Sequence, residues 1–282
     1  MQQVKNLIKQ GSQLLQNHGI PTHQIDAEVL LAHVLHAERY QLIMNPTLQV
    51  KEAEESTYKT MLQRRSKKEP VAYILGNKEF WGLNFMVNPT VLIPRPDSET
   101  LIELALKHVK DKNSKFKILD LGTGSGCLIT SLLHELSNSI GLGIDANPQA
   151  LEVAISNAKN HNLSHRCSFL ISNWFQELGT QKFDLIVANP PYIEVTNTLE
   201  ADVADYEPPF ALYAGIDGLD AYRQIAKSAH THLQKDSLII VEVGIGQAIK
   251  VADIFQSQKL ILIEIAKDLA GIERALAFRL HN

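Results

Sequence analysis

The strongest constraint in this sequence is an alternation. Between residues 116 and 188, four short apolar runs are separated by helical or loop segments: 116-FKILDL-121, 140-IGLGID-145, 167-CSFLI-171 and 183-FDLIVA-188. Runs of this length read as buried strands. Strands that alternate with helical connections pair in parallel, with helices over the sheet. Three more candidates follow, 238-LIIVEVG-244, 260-LILIEIA-266 and 274-RALAFRL-280. A long helix-bearing insertion over residues 195–235 separates the fourth candidate from the fifth. A short glycine-containing connection joins the last two, which suits antiparallel pairing at the end of the sheet. Seven strands arranged in this way predict an open α/β sheet.

The front of the chain obeys a different rule. Residues 1–75 hold two of the 15 glycines, Gly11 and Gly19, and no Phe or Trp. Val4, Leu7, Ile8, Leu14 and Leu15 follow helical spacing, closed by His18-Gly19 with Pro21 just beyond. Asp26 can cap 27-AEVLLAHVL-35, and a third helix is expected over residues 51–66. The basic run 64-RRSKKEP-70 ends in proline and marks a boundary. Next, 79-EFWGLNFMVNPTVLIP-94 carries two partly alternating runs around Asn88-Pro89, which predicts a β-hairpin. The expected organisation is a helical domain over residues 1–73, a hairpin linker over 74–94 and the α/β domain over 95–282.

Composition narrows the classes. The chain is 45% apolar and 21% charged with a formal net charge of −4, which argues against a large nucleic-acid footprint. Cys127 and Cys167 are its only cysteines, so neither a disulfide framework nor a cysteine zinc site is expected. No apolar run approaches ~18 residues and the first residues show no leader pattern, so a cytoplasmic protein without a membrane span is the simplest expectation.

Two stretches carry chemistry. The first is 118-ILDLGTGSGCL-128, where a strand ends and a helix opens. Gly122, Gly124 and Gly126 let the backbone turn tightly and approach a ligand. Neither the dinucleotide fingerprint nor Walker-A spacing is met, because Cys127 replaces the third glycine and no Gly-Lys-Ser/Thr follows. Asp120 precedes the turn and could orient its N–H groups. Asp145 ends the second strand nineteen residues after Gly126, placed to accept both hydroxyls of a ribose. The structural alternative is tight packing at the turn, with Asp145 capping the helix after Asn147-Pro148.

The second stretch is 183-FDLIVANPPYIE-194, a core strand broken by Asn189-Pro190-Pro191-Tyr192. In a doubly wound sheet the fourth strand lies beside the first, so Asn189 should emerge next to the glycine turn. The Asn189 side-chain oxygen and the Pro190 carbonyl are two acceptors at a fixed angle. They suit an –NH₂ group with two hydrogens to give, and Tyr192 offers a face on which a planar amide or base can stack. Each such contact typically supplies ~3 kcal/mol of transition-state stabilisation. A strand-terminating proline turn is the plain alternative.

Together these residues resemble the S-adenosylmethionine-dependent methyltransferases that modify exocyclic or amide NH₂ groups. The runs 91-VLIPRPDSETLIE-103, 172-SNWF-175, 207-EPPFALYAGIDGLDAYRQI-225 and 267-KDLAGIERA-275, with the helical 27-AEVLLAHVL-35, are similar to the bacterial release factor glutamine methyltransferases over nearly the whole chain. The resemblance implies a seven-stranded Rossmann-like sheet with a small helical N-terminal domain and a connecting hairpin. It implies methylation of the glutamine side-chain nitrogen (N5) in the Gly-Gly-Gln motif of class I peptide-chain release factors. Gly122, Thr123, Gly124, Ser125 and Gly126 would carry the methionine end of S-adenosylmethionine, Asp145 its ribose, and Trp174 its adenine side. Asn189, next to both ligands, would hold the glutamine amide with Pro190, flanked by Pro191 and Tyr192. Arg95 lies in the Pro-Arg-Pro segment that closes over the cofactor, and the front helices and residues 195–235 would dock the release factor. The chain departs from the family pattern at Asn173, where Asp is frequent, at Asp97, where Glu is frequent, and at Phe210, where a basic residue is frequent.

The rival enzyme is an amino-methyltransferase acting on adenine in DNA or RNA, which presents the same NH₂ group. It would need base flipping and a basic groove. Residues 1–75 instead carry nine Lys/Arg against seven Asp/Glu, and the remainder 18 against 24. A non-catalytic cofactor-binding scaffold would have no use for an amide clamp. His33 and His36, and His230 and His232, lack the partners of a metal site, so no metal is expected.

Overall fold

The computed structural model describes residues 1–281. They form two compact units, Met1–Asn77 with Leu199–Tyr206, and Lys78–Thr198 with Glu207 onward.

In the first unit, strand β1 (Gln2–Gln3) pairs antiparallel with β2 (Gln49–Val50). Around this pair lie helices α1 (Val4–Asn17), α2 (His23–Val34), α3 (Arg39–Met44), α4 (Glu52–Ser66) and α5 (Val71–Leu75). The apolar faces of α1, α2 and α4 bury Leu7, Leu15, Leu30, Leu31, Tyr58 and Leu62 in one core. Gly11 permits the close approach of α1 to α4, since a Cβ there would lie 2.2 Å from the Tyr58 hydroxyl. That hydroxyl donates to the Ala27 carbonyl at 3.1 Å. Arg65 and Asp26 form a buried ion pair at 2.7 Å.

The second unit opens with the hairpin of β3 (Asn77–Phe80) and β4 (Leu83–Met86). Its turn residues Trp81 and Gly82 have φ of 53° and 69°. The buried rings of Phe80 and Phe85 belong to the core beneath α6 (Glu99–His108). Strand β5 (Lys117–Leu121), helix α7 (Cys127–Glu135), strand β6 (Ile140–Asp145), helix α8 (Pro148–Asn160), strand β7 (Cys167–Ile171) and strand β8 (Phe183–Ala188) then alternate. The chain returns to the first unit for residues 199–206, with the short helix α9 (Ala201–Ala204). It continues through α10 (Asp220–His232), β9 (Leu233–Glu242), α11 (Ala248–Gln256), β10 (Leu260–Lys267) and β11 (Glu273–Leu280).

The seven strands from β5 to β11 form one sheet in the order β10-β11-β9-β8-β5-β6-β7. Strands β5 to β9 pair in parallel, and β11 is antiparallel to both β9 and β10. All seven sequence-predicted strands are present, and the predicted α/β sheet is the one observed. Most boundaries agree to within two residues, but β9 starts at Leu233 rather than 238, and the hairpin turns at Trp81-Gly82 rather than around Asn88-Pro89, where proline gives no N–H for a ladder. After Leu233, which pairs with Phe183, the register with β8 shifts until Leu238, and the exposed Gln234, Lys235 and Asp236 in between show no apolar pattern. Alternate residues feed two cores. Leu119, Leu121, Ile186, Ala188, Ile239 and Val241 pack under α10 and α11. Ile118, Leu185, Val187 and Ile240 pack under α6 and α7.

Candidate active site

Strand order reverses direction between β5 and β8, and ligands in open α/β sheets bind outside the strand ends at such a point. A cavity of about 520 Å³ opens there within the second unit. The turn after β5 forms its floor. Gly122, Gly124 and Gly126 have φ of 69°, 54° and 77°, values that side chains resist. Gly122, Thr123, Gly124 and Ser125 line the cavity. Gly126 has another duty: a Cβ there would sit 3.1 Å from the Cβ of Ala154 on α8, so it permits helix packing.

Two carboxylates hold this turn in shape. Asp120 is fully buried at the end of β5 and accepts from the Thr123 hydroxyl at 2.6 Å. Burial pushes its carboxyl up to about 7, against the pull of that hydroxyl. Asp145, at the end of β6, lines the cavity. Its Oδ2 accepts from the Gly124 N–H at 2.9 Å and its Oδ1 from the Asn147 N–H at 2.9 Å. Burial raises its pKa, and the N–H bonds of Asn147 and Gly124 oppose the rise. Each carboxylate oxygen has a second lone pair, so Asp145 can still receive two hydroxyls from a ligand.

Trp174 and Asn173 form a side wall. Trp174 adopts a positive φ of 50°, which turns the chain sharply after β7. Ser172 steadies that turn by donating to the Trp174 carbonyl at 2.7 Å. The opposite rim joins two distant segments. Glu207, buried, accepts from the Ile93 N–H at 3.1 Å and pairs with the Arg95 guanidinium. This holds Pro94 and Arg95 beside Phe210 and Ala211, all in the cavity lining.

The Asn-Pro-Pro-Tyr turn closes the far end. Asn189 and Pro191 line the cavity, whereas Pro190 is buried behind them. The Asn189 Nδ2 donates to the Ser98 hydroxyl oxygen at 3.0 Å, which leaves Oδ1 as the acceptor end of the amide. Tyr192 is partly buried against the core. Its carbonyl accepts from Gln247 Nε2 at 2.9 Å, and its hydroxyl lies 3.5 Å from Glu242 Oε1. Burial raises the tyrosine pKa, with Glu242 adding to the effect. The structure thus gathers the turn after β5, Asp145, Trp174, Arg95 and Asn189 around one cavity. Sequence reasoning missed Ser98, Glu207, Glu242 and Gln247. Ser98 and Glu207 stand inside stretches singled out for other residues and Glu242 inside a strand candidate, whereas nothing in the sequence marked Gln247.

Among the described residues, no group of three or more His, Cys, Asp and Glu is placed to hold a metal. No helix among them is long and apolar enough to cross a membrane.

A sheet in this order, with a glycine turn, a carboxylate after β6 and an Asn-Pro-Pro-Tyr turn around one cavity, defines a Rossmann-like methyltransferase. Solved structures share the fold. A methyltransferase from Pyrococcus furiosus superposes with a TM-score of 0.52 at 15% identity, over 73% of this chain and 92% of that one. Residues 6–76 match the PrmC N-terminal domain and residues 97–206 the methyltransferase small domain. The release factor glutamine methyltransferase of Agrobacterium fabrum is 38% identical over 94% of this chain and 93% of its own length. The chain belongs to the release factor glutamine methyltransferase family. It is also 38% identical, over 98% of its residues, to the bifunctional methyltransferase of Rickettsia bellii. It spans 55% of the length of that relative.

Proposed function

We propose that the protein transfers a methyl group from S-adenosylmethionine to the side-chain nitrogen of the glutamine in the Gly-Gly-Gln motif of class I peptide-chain release factors. The observation that carries this reading is the Asn189 amide, tied through Nδ2 to Ser98 at 3.0 Å and so presenting Oδ1 as an acceptor. Membership of a family whose relatives bear this activity in their names supports the choice of acceptor.

The residues fit the cofactor. The backbone of Gly122 and Gly124, free of Cβ atoms, can lie against its methionine end, Asp145 can receive its ribose hydroxyls, and Trp174 can flank its base. Bound S-adenosylmethionine would supply an electrophilic methyl group. The rest of the chemistry belongs to this chain. Asn189 Oδ1 and the Pro190 carbonyl would accept the two hydrogens of the glutamine NH₂. Two acceptors favour the amine as it becomes tetrahedral, and both gain strength in a site that excludes water. Fixing the amide in line with the methyl group adds an entropic advantage. The Tyr192 carbonyl, anchored by Gln247, keeps the turn in place.

The test uses labelled S-adenosylmethionine with three acceptors: a class I release factor, its Gly-Gly-Gln→Gly-Gly-Ala variant and duplex DNA. Label on the intact factor alone is expected. Label on DNA, or on both factors equally, would overturn the choice of substrate.

A further inference from the structure

Beneath the Asn-Pro-Pro-Tyr turn lies a carboxylate that neither the cavity nor the core requires. Glu242 ends β9 and is 1% exposed. The parallel register Ala188↔Val241 makes it the neighbour of Asn189 at the strand ends. Its Oε2 is buried with no hydrogen-bond partner. A fully buried carboxyl with an unsatisfied oxygen is expensive, and an apolar side chain of similar size would pack at less cost. Burial pushes Glu242 up to about 7, while the Ser98 hydroxyl and then Arg274 act most strongly against that rise. Arg274 is itself shared between Asp97 at 3.1 Å and Asp268 at 2.9 Å. Ser98 is the link to the cavity. A serine hydroxyl has one hydrogen and two lone pairs. Because Ser98 Oγ accepts from Asn189, its own hydrogen must go elsewhere.

We propose that Glu242 is a positioning residue for the acceptor amide: it takes the Ser98 hydrogen and so fixes the polarity of the chain Asn189 Nδ2–H to Ser98 Oγ–H to Glu242. With this polarity, Asn189 meets the cavity with its oxygen. Without it, the hydroxyl can turn its hydrogen toward Asn189, and the amide can flip to present NH₂ to an incoming NH₂, where neither group can accept. Glu242 never touches the substrate. The proposal rests on the amide-clamp reading of Asn189 given above.

Two measurements test it. In the first, Glu242→Leu, Glu242→Gln and Ser98→Ala are made in the parental protein and in an Asn189→Ala background, and turnover of the labelled methyl group is followed. In the parental protein, Glu242→Leu and Ser98→Ala should each lower kcat by about tenfold or more, with KM for S-adenosylmethionine changed less than about threefold. In the Asn189→Ala background neither should lower kcat further, because residues acting in series are not additive. Equal fold-losses in both backgrounds would overturn the proposal, since a merely structural carboxyl affects both alike. Glu242→Gln has the same shape and carries the comparison if the leucine variant does not fold; its smaller loss should likewise vanish without Asn189. The second measurement needs no acceptor. Hydrogen exchange at Asn189 Nδ2, followed by nuclear magnetic resonance of the full chain, should accelerate about tenfold or more in Glu242→Leu or Glu242→Gln. Unchanged protection would overturn the relay even if the acceptor proves to be something other than a release factor.

Discussion

Asn189 is the residue on which most of the proposed chemistry converges. With Asn189 as the proposed acceptor for the substrate nitrogen, Asn189→Ala should lower kcat by about a hundredfold or more. Cofactor affinity, read by calorimetry, should fall far less, because the glycine turn and Asp145 are untouched. Asp120 supports a prediction of another kind. Its carboxyl is raised from an ordinary value near 3.8 to about 7. The folded protein therefore holds a proton there that the unfolded chain releases. Stability associated with Asp120 is present below about pH 4 and is lost as pH rises towards 7. Asp120→Asn, which keeps an oxygen for the Thr123 hydroxyl, should remove that slope. In urea titrations the variant should gain on the parent between pH 4.5 and 7.5, by up to about 3 kcal/mol. Asn189, Asp145 and the glycines were legible in the sequence because each stands at a fixed offset within a local motif. Ser98 was not, because its meaning depends on Asn189, 91 positions away. Glu242 was not legible either, because nothing within the strand candidate 238-LIIVEVG-244 marks it out and its burial at the strand end is set by tertiary packing.

At the scale of elements, strands were easier to read than the joints between them. A parallel strand covered on both faces must be apolar at consecutive positions, so β6 and β8 have the predicted limits; β7, at the sheet edge with Ser168 and Ile171 exposed, also has them. The start of β9 was hidden, because after the buried Leu233 its pairing with β8 shifts register until Leu238, and the intervening Gln234, Lys235 and Asp236 face water. Nothing local distinguishes such a stretch from a loop. The joints test the packing argument. Gly126 combines a φ of 77° with the close approach of Ala154. Gly126→Ala should therefore cost about 2 kcal/mol, the sum of a left-handed backbone and a crowded helix contact. A drop in the urea midpoint with an unchanged slope would show it. In the helical unit, α2 and α4 are joined by the buried Arg65–Asp26 pair. Arg65→Met should cost about 3 kcal/mol or more by leaving Asp26 charged and unpaired. The Asp26→Leu, Arg65→Met double variant should recover much of that loss.

For the whole molecule, charge and connectivity matter more than any single contact. A net charge of −4 and the acidic balance of the second unit suit a protein acceptor better than a polyanion. The apparent affinity for a release factor should change less than about tenfold between 50 and 200 mM salt, whereas an acceptor bound through many phosphates would lose about a thousandfold. Kinetics at the two salt concentrations distinguish these cases. The return of residues 199–206 to the helical unit was not legible, because its pairing with residues 1–77 carries no sequence period. Tyr206 shows what the return achieves, donating its hydroxyl to the Lys67 carbonyl at 2.8 Å. It also imposes a schedule on synthesis. A ribosome delivers the helices first, yet their last segment emerges only after residues 78–198 have passed the exit tunnel, on the order of ten seconds later. The amino-terminal unit must wait, incomplete, while four strands of the sheet are translated, so the first part made is among the last to be finished.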